Sequence, residues 1–182
     1  MKIAAFDLSL TATGWATYES ARNDAFDLSL VQSGTFRAPK GMTGMERIDW
    51  VLRSVLAAAE GADVIVFEGA SYASRDPSAF ERAGLAHIIQ WNLWPDYPWY
   101  LVAPMSLKKF VADQSSEKGE SIKKEHMMLA IFQRFGHTAK DNNEADALGL
   151  LYVGLGIAGV WRGQNAYQRT LIEKIKQQHG GQ

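Results

Sequence analysis

Two short apolar segments, each ended by an acidic residue, constrain this chain most. Residues 3–6 are all apolar and lead into Asp7, and residues 64–67 are all apolar and lead into Glu68. Segments of this kind are typical of strands that are buried on both faces of a parallel or mixed sheet. Asp and Glu are depleted in strands and are rarely buried without a partner, so an acid that closes each strand needs a specific reason.

A third acid, Asp146, precedes the most apolar stretch of the chain. Residues 147–161 contain four glycines and are too few for a membrane span, so they predict a buried helix. If the two strands are neighbours and this helix begins beside them, three carboxylates meet and repel one another unless a divalent cation neutralises them. With no cysteine in the chain and no paired-histidine motif, oxygen ligands favour Mg²⁺ or Mn²⁺ over zinc.

Each of these acids also has a purely structural interpretation. Asp7 can cap the turn that contains Ser9 and Thr11, and Glu68 can reach solvent from a strand end. Asp146 in the first turn of a helix is favoured by the positive end of the helix dipole. The metal-site hypothesis therefore depends on the three acids being brought together.

The composition indicates an ordinary globular protein. With 182 residues, 47% hydrophobic and 21% charged, one domain with a single sizeable core is the simplest expectation. The net charge of −1 argues against a protein that coats nucleic acid by bulk electrostatics, so any DNA contact must come from local patches. The first residues predict a strand and lack the pattern of a signal segment, and we expect a cytoplasmic protein without a membrane span.

The order of predicted elements indicates an α/β fold. Hydrophobic periodicity and turn residues predict three strands, a helix capped by Thr43 with Glu46, a strand, a helix, a strand and then further helices. This order favours a five-stranded mixed sheet with helices on both faces. We predict a domain over residues 1–162 and a polar, amphipathic tail over 163–182. The expected core and turn residues include Met128, Ile131, Phe132, Phe135, Trp91, Trp94, Trp99 and Tyr100.

Four segments carry a resemblance to a known family. They are Ile3-Ala4-Ala5-Phe6-Asp7 with Thr13-Gly14-Trp15-Ala16, Val64-Ile65-Val66-Phe67-Glu68, Ala103-Pro104-Met105-Ser106-Leu107-Lys108-Lys109, and Asn143-Glu144-Ala145-Asp146-Ala147-Leu148. In this order and spacing the chain resembles the RuvC branch of the ribonuclease H-like superfamily, the Holliday junction resolvases, and its divergent phage members in particular. The resemblance covers residues 1–160 and implies the ribonuclease H-like fold.

The resemblance implies that Asp7, Glu68 and Asp146 bind two Mg²⁺ ions, with Mn²⁺ as a substitute and no organic cofactor. The family commonly has Asp or His three residues before the last acid, where this chain has Asn143. Asn143 and Glu144 are equal candidates for the fourth ligand and catalytic role, with Asp141 behind them.

The resemblance also implies a DNA-contacting segment. Its basic residues are Lys108, Lys109, Lys118, Lys123 and Lys124, of which Lys108 and Lys124 are preferred as neighbours of the scissile phosphate. Four acids are interspersed among these lysines, so composition alone indicates a solvated surface. Tyr72, with Arg75 in the same loop, is a candidate for stacking on a base at a branch point, or else a residue packed on the rim.

Together these features predict a homodimeric, Mg²⁺-dependent endonuclease that nicks branched DNA in a bacterial or phage-infected cell. Paired symmetric cuts of a Holliday junction would leave 5′-phosphate and 3′-hydroxyl ends, and the helix from Tyr72 to Gln90 is the implied dimer face. Alternatives are a nuclease for RNA or other branched DNA, and an inactive junction-binding protein. An ATP-binding module of the actin and sugar-kinase type would need a second phosphate-binding half, for which the chain is too short.

Overall fold

A five-stranded mixed sheet forms the centre of the computed structural model, which describes residues 1–21, 25–69, 78–112 and 124–179. The strands are β1 (Lys2–Asp7), β2 (Ala12–Glu19), β3 (Val31–Arg37), β4 (Val64–Glu68) and β5 (Trp99–Val102). Their order across the sheet is β3-β2-β1-β4-β5, with β1, β4 and β5 parallel and β2 and β3 antiparallel to their neighbours. The predicted five-stranded mixed sheet is confirmed.

The two apolar, acid-ended segments become the central strands. β1 lies between β2 and β4, and β4 lies between β1 and β5. Both strands are covered on both faces, and for this reason every residue from 3 to 6 and from 64 to 67 is apolar and buried.

Helices cover both faces of the sheet, as predicted. Their bounds are α1 (Gly44–Ala59), α2 (Ser78–Leu93), α3 (Pro104–Ala112), α4 (Lys124–Phe135), α5 (Asn142–Ile157) and α6 (Ala166–His179). Helices α1 and α2 pack on the face that carries Phe6 and Phe67. Helices α3 to α6 pack on the opposite face, against Ile3 and Val66.

Helix α5 crosses the sheet at close range and is the most buried helix. A Cβ atom at Gly154 would lie 2.8 Å from Ile3 Cγ2 and 3.0 Å from Val66 Cγ2, so the small residue sets the distance between the helix and β1. No helix in the described part of the chain is long and apolar enough to cross a membrane.

The structure corrects several side-chain predictions. Phe132 was expected in the core but is 57% exposed, because α4 packs through Met127, Ile131 and Phe135, one residue out of phase with the predicted face. Trp91 and Trp94, expected as core and turn packing residues, are 74% and 63% exposed. They lie at the end of α2, whose buried side is already filled by smaller residues.

The cap of α1 differs in detail from its sequence pattern, whereas the C-terminal segment forms an amphipathic helix. Thr43 is the N-cap residue of α1, but its side chain makes no capping hydrogen bond. Residues of the predicted amphipathic tail form α6, in which Leu171, Ile172 and Ile175 are buried in the same apolar cluster as α5. The helix therefore adds to the core of the sheet domain.

Candidate active site at the carboxyl edge of the sheet

Asp7 and Glu68 lie side by side at one edge of the sheet. Phe6 pairs with Phe67 in the parallel ladder between β1 and β4, and each acid is the next residue along its strand. Because parallel strands end at the same edge, both carboxyl groups leave the sheet there, and both side chains are half-buried. The sequence prediction that these two acids meet is therefore matched by the strand register.

The first turn of α5 is held next to these acids by contacts with β2. Asp7 pairs with Gly14 across the β1–β2 ladder, and a Cβ atom at Gly14 would lie only 1.9 Å from the carbonyl oxygen of Asn143. The Asn143 amide Nδ2 also donates a 2.8 Å hydrogen bond to the carbonyl of Ala12. One turn later Asp146 is half-buried, and its charge acts on both Asp7 and Glu68, so the start of α5 brings a third carboxylate to the same edge.

The three acids interact electrostatically. Burial raises the pKa of Asp7 well above its ordinary range, and the charges of Glu68 and Asp146 raise it further. The pKa of Glu68 is raised to about 7, by burial first and by Asp146 second. Burial and mutual repulsion thus disfavour the ionised forms of these acids, and a bound cation would relieve that penalty.

Two basic side chains face the cluster. The Arg82 guanidinium on α2 lowers the pKa of both Asp7 and Glu68, and the Lys108 ammonium on α3 lowers that of Glu68, although neither reverses the upward shifts. Lys108 was a predicted site residue. Arg82 was missed. It lies three residues before the apolar Leu85, on the same helical face, and a charged residue in line with an apolar face is a pattern that the sequence shows.

The candidates for a fourth ligand differ in their hydrogen bonds. Glu144 is buried, and its two carboxylate oxygens accept hydrogen bonds from Ser33 Oγ at 2.8 Å and from the backbone N–H of Lys140 at 2.7 Å. Its carboxylate thus links α5 to β3. Which candidate completes a metal site stays a prediction.

Asp141 is also engaged at the junction of α5 with β3. It is the N-cap of α5, where its side chain accepts from the Glu144 backbone N–H at 2.9 Å. It also accepts from Thr35 Oγ1 at 2.9 Å and pairs with Arg37 at 2.6 Å. Asn143 differs from Glu144 and Asp141 because its side chain bonds to Ala12 through the amide nitrogen, whereas a cation would bind the amide oxygen.

The donor chemistry of the site fits a hard divalent cation, since it offers carboxylate and amide oxygens at a place of excess negative charge. Within the described ranges, however, no group of three or more His, Cys, Asp or Glu side chains is close enough to hold an ion as it stands. The side chains would therefore have to adjust as an ion binds.

The predicted DNA-contacting residues divide into two groups. Lys108 faces the acidic cluster, whereas Lys109 lies over the ring of Tyr167, with its Nζ 4.4 Å from the ring centroid, and so turns toward α6. Tyr72, Arg75, Lys118 and Lys123 lie outside the described residues. Lys124 is the first residue of α4, and its side chain is likewise outside the description.

The element order and the strand topology define a ribonuclease H-like fold. Among solved structures, the chain is similar to RuvC of Thermus thermophilus, with a TM-score of 0.64 and 16% identity over 88% of this chain and 98% of RuvC. It is similar to the T. thermophilus RuvC in complex with a Holliday junction substrate, with a TM-score of 0.62 and 16% identity over 88% of this chain and 97% of that one. These likenesses confirm the predicted fold.

A fowlpox virus Holliday junction resolvase is also similar, with a TM-score of 0.49 and 12% identity over 88% of this chain and 98% of that chain. No protein-family model matches the sequence, and no curated protein matches it.

Proposed function

We propose that this protein is a metal-dependent endonuclease that nicks branched DNA, with the Holliday junction as its leading substrate. The observation that carries the proposal is the meeting of Asp7, Glu68 and Asp146 at one edge of a RuvC-like sheet, with raised pKa values for the first two. Buried carboxylates that repel one another reduce stability, and such a cost is typical of a site that binds a cation or carries out a reaction.

In this proposal Asp7, Glu68 and Asp146, with Asn143 or Glu144, hold two Mg²⁺ ions, for which Mn²⁺ can substitute. Bound Mg²⁺ supplies activation of water and stabilisation of the leaving 3′ oxygen. The chain's own part is to keep the carboxylates adjacent, because the β1–β4 register and the Gly14 contact hold their backbones together. The products would be 5′-phosphate and 3′-hydroxyl ends.

The DNA contacts that we propose come from basic groups around the acidic cluster. Lys108 would neutralise a backbone phosphate next to the carboxylates, since its ammonium already acts on Glu68. We propose weaker phosphate contacts for Lys109, Lys118, Lys123, Lys124 and Arg75, and base stacking for Tyr72. The RuvC structure with a Holliday junction substrate supports the choice of branched DNA.

We further propose that the protein acts as a homodimer in the cytoplasm of a bacterial or phage-infected cell. A four-way junction has two-fold symmetry, so two copies with one site each would make paired symmetric cuts.

The test is incubation of the purified protein with an end-labelled four-way junction in Mg²⁺, in Mn²⁺ and in EDTA. We expect paired nicks that a ligase can seal, and we expect Asp7→Asn to lose cleavage while still binding the junction. Asp49→Asn is the matched control, because Asp49 is an exposed acid on α1 that pairs with Arg53. Full cleavage by Asp7→Asn would disprove the active-site assignment.

Comparing four-way, Y-shaped and RNA-containing substrates in the same assay decides the substrate class. Preference for RNA-containing duplexes would replace the junction hypothesis with that of a ribonuclease.

One observation favours a second candidate, a junction-binding protein without nuclease activity. The acidic side chains of the described residues do not form a ready-made metal site. A titration with Mg²⁺ and Mn²⁺ separates the two functions, since junction binding with no metal-dependent cutting at any concentration would support this candidate.

A further inference from the structure

Arg82 occupies the part of α2 that lies nearest the acidic edge. Helix α2 connects β4 to the parallel strand β5, so it must run back along the sheet, and its first turns lie at the edge where β4 ends. Leu85 and Ile89 are buried against this face of the sheet, and Arg82 precedes them by three and seven residues on the same side of the helix. The half-buried Arg82 therefore begins the buried stripe beside Asp7 and Glu68.

Arg82 and Lys108 approach the acids from opposite faces of the sheet. Helix α2 belongs to the layer that packs on Phe6 and Phe67. Helix α3, which carries Lys108, belongs to the layer on the opposite face of the sheet, where Leu107 is buried. The carboxylate cluster thus lies between two cations, and a phosphodiester that reaches it has to pass between them.

The Arg82 guanidinium lies close enough to Asp7 and Glu68 for its charge to act on both carboxyl groups. A guanidinium presents donors in a planar fork that matches two oxygens of a phosphate, which an ammonium cannot do. Its position beside the acids, at the edge of the sheet, suits a residue that receives an incoming phosphate.

We propose that Arg82 is a phosphate-binding residue of the candidate active site, which acts opposite Lys108 to hold the DNA phosphate against Asp7, Glu68 and Asp146. This inference rests on the proposed function, because it names a substrate contact of the same site. It adds a residue that none of the motifs contains.

The experiment compares the wild type with Arg82→Gln, Arg82→Lys and the control Arg53→Gln, which removes the same charge from an exposed position on α1. Single-turnover cleavage of a labelled four-way junction is measured with protein in excess, across a Mg²⁺ titration. We expect Arg82→Gln to be at least about tenfold slower at saturating Mg²⁺, since removal of one preorganised donor to a reacting group costs about 10²–10³ in rate. Arg82→Lys should recover part of the loss, and Arg53→Gln should match the wild type.

A second measurement does not depend on cleavage. Junction binding is measured in Ca²⁺ or EDTA at several salt concentrations, and loss of one phosphate contact should reduce the slope of log K against log salt by about 1. If the wild type binds but does not cleave, the nuclease proposal fails, while a reduced slope for Arg82→Gln still supports the phosphate contact.

Three results would overturn the proposal. These are an Arg82→Gln cleavage rate equal to that of the wild type, full recovery of the Arg82→Gln rate by extra Mg²⁺, and an Arg82→Gln salt slope equal to that of the wild type. Full recovery would mean that Arg82 acts only as a counterion of the acids. If Arg82→Gln fails to fold, Arg82→Lys decides the matter. It keeps the charge, so its salt slope should match the wild type, but it loses the fork, so a wild-type cleavage rate would disprove the bidentate contact.

Discussion

Gly14 on β2 and Asn143 on α5 are in direct backbone contact, so close that a Cβ atom at Gly14 would lie 1.9 Å from the Asn143 carbonyl oxygen. Gly14 is also the ladder partner of Asp7. This contact sets how near the first turn of α5, with Asp146, comes to the acid at the end of β1. The distance between the acids therefore depends on a residue without a side chain.

We predict that Gly14→Ala destabilises the protein strongly. Overpacking against movable side chains costs about 1–3 kcal/mol, and here the obstacle is backbone, so we expect a loss of more than about 2 kcal/mol in urea unfolding. Gly84→Ala is the control: its Cβ atom would meet nothing within 4 Å, and α2 should gain up to about 1 kcal/mol. Similar stability of the two variants would contradict the close contact.

The raised pKa of Glu68 predicts a pH dependence of stability in the metal-free protein. The value is raised from its ordinary 4.5 to about 7, so Glu68 in the folded state favours its proton. The stabilising contribution is fully present below about pH 4.5 and is lost as the pH rises through 7. We expect Glu68→Gln in EDTA to melt higher than the wild type at pH 8, with the difference vanishing near pH 5.

The control for this series is Glu46→Gln, which removes an exposed acid from the first turn of α1. Its melting temperature should differ from the wild type by a small and constant amount across the same pH range. A Glu68→Gln protein that melts lower than the wild type at pH 8 would show that the charged carboxylate is a net stabilising group.

Glu144 and Ser33 are predicted to act as a pair that holds β3 to α5. Ser33 Oγ donates a 2.8 Å hydrogen bond to the buried Glu144 carboxylate, so removal of either partner leaves the other unsatisfied. We expect each alanine substitution to cost about 1–3 kcal/mol, and the double variant to cost less than the sum by at least about 0.5 kcal/mol. Additive losses in urea unfolding would mean that the bond contributes nothing to stability.

The fourth metal ligand can be identified by the metal requirement of cleavage. Because both Glu144 oxygens accept hydrogen bonds from the protein, we expect Asn143→Ala to raise the Mg²⁺ concentration for half-maximal cleavage several-fold. Glu144→Ala, measured at a temperature where it remains folded, should change this concentration little. The opposite result would assign the ligand to Glu144.

The exposed face of α2 is predicted to mediate self-association. Phe80 and Trp91 are 87% and 74% exposed and lie three helical turns apart on the same side of α2. Large exposed apolar side chains in a row are typical of an interaction surface. In sedimentation velocity we expect a wild-type dimer and a monomeric Phe80→Glu/Trp91→Glu variant. Phe132→Glu, on the exposed side of α4, should remain dimeric.

Local patterns in the sequence were sufficient for the central strands and for the acids that end them. A strand buried on both faces has to be apolar throughout, so residues 3–6 and 64–67 are recognisable without knowledge of their neighbours. The same holds for α5, which is apolar on all sides because it is buried on all sides. Burial on every side leaves a clear signal in a single segment.

Half-buried positions were less predictable, because their environment depends on partners distant in the chain. The periodicity of α4 did not distinguish a face with Met127 from one with Phe132, and the aromatic character of Trp91 did not reveal its exposure. The sequence predicts Glu144 as a candidate metal ligand but gives no sign of its hydrogen bonds to Lys140 and to Ser33, which is 111 residues away in the chain. Only the packed structure assigns such a side chain to one side or the other.

The sequence by itself thus determined the fold class and two strand-ending acids, since strand burial and strand-end chemistry are local properties. Tertiary structure alone decided the register that aligns Asp7 with Glu68, the contact of Gly14 with Asn143, and the approach of Arg82 from α2. The physical reason is that each depends on the distance between elements, which is set by packing across the whole sheet.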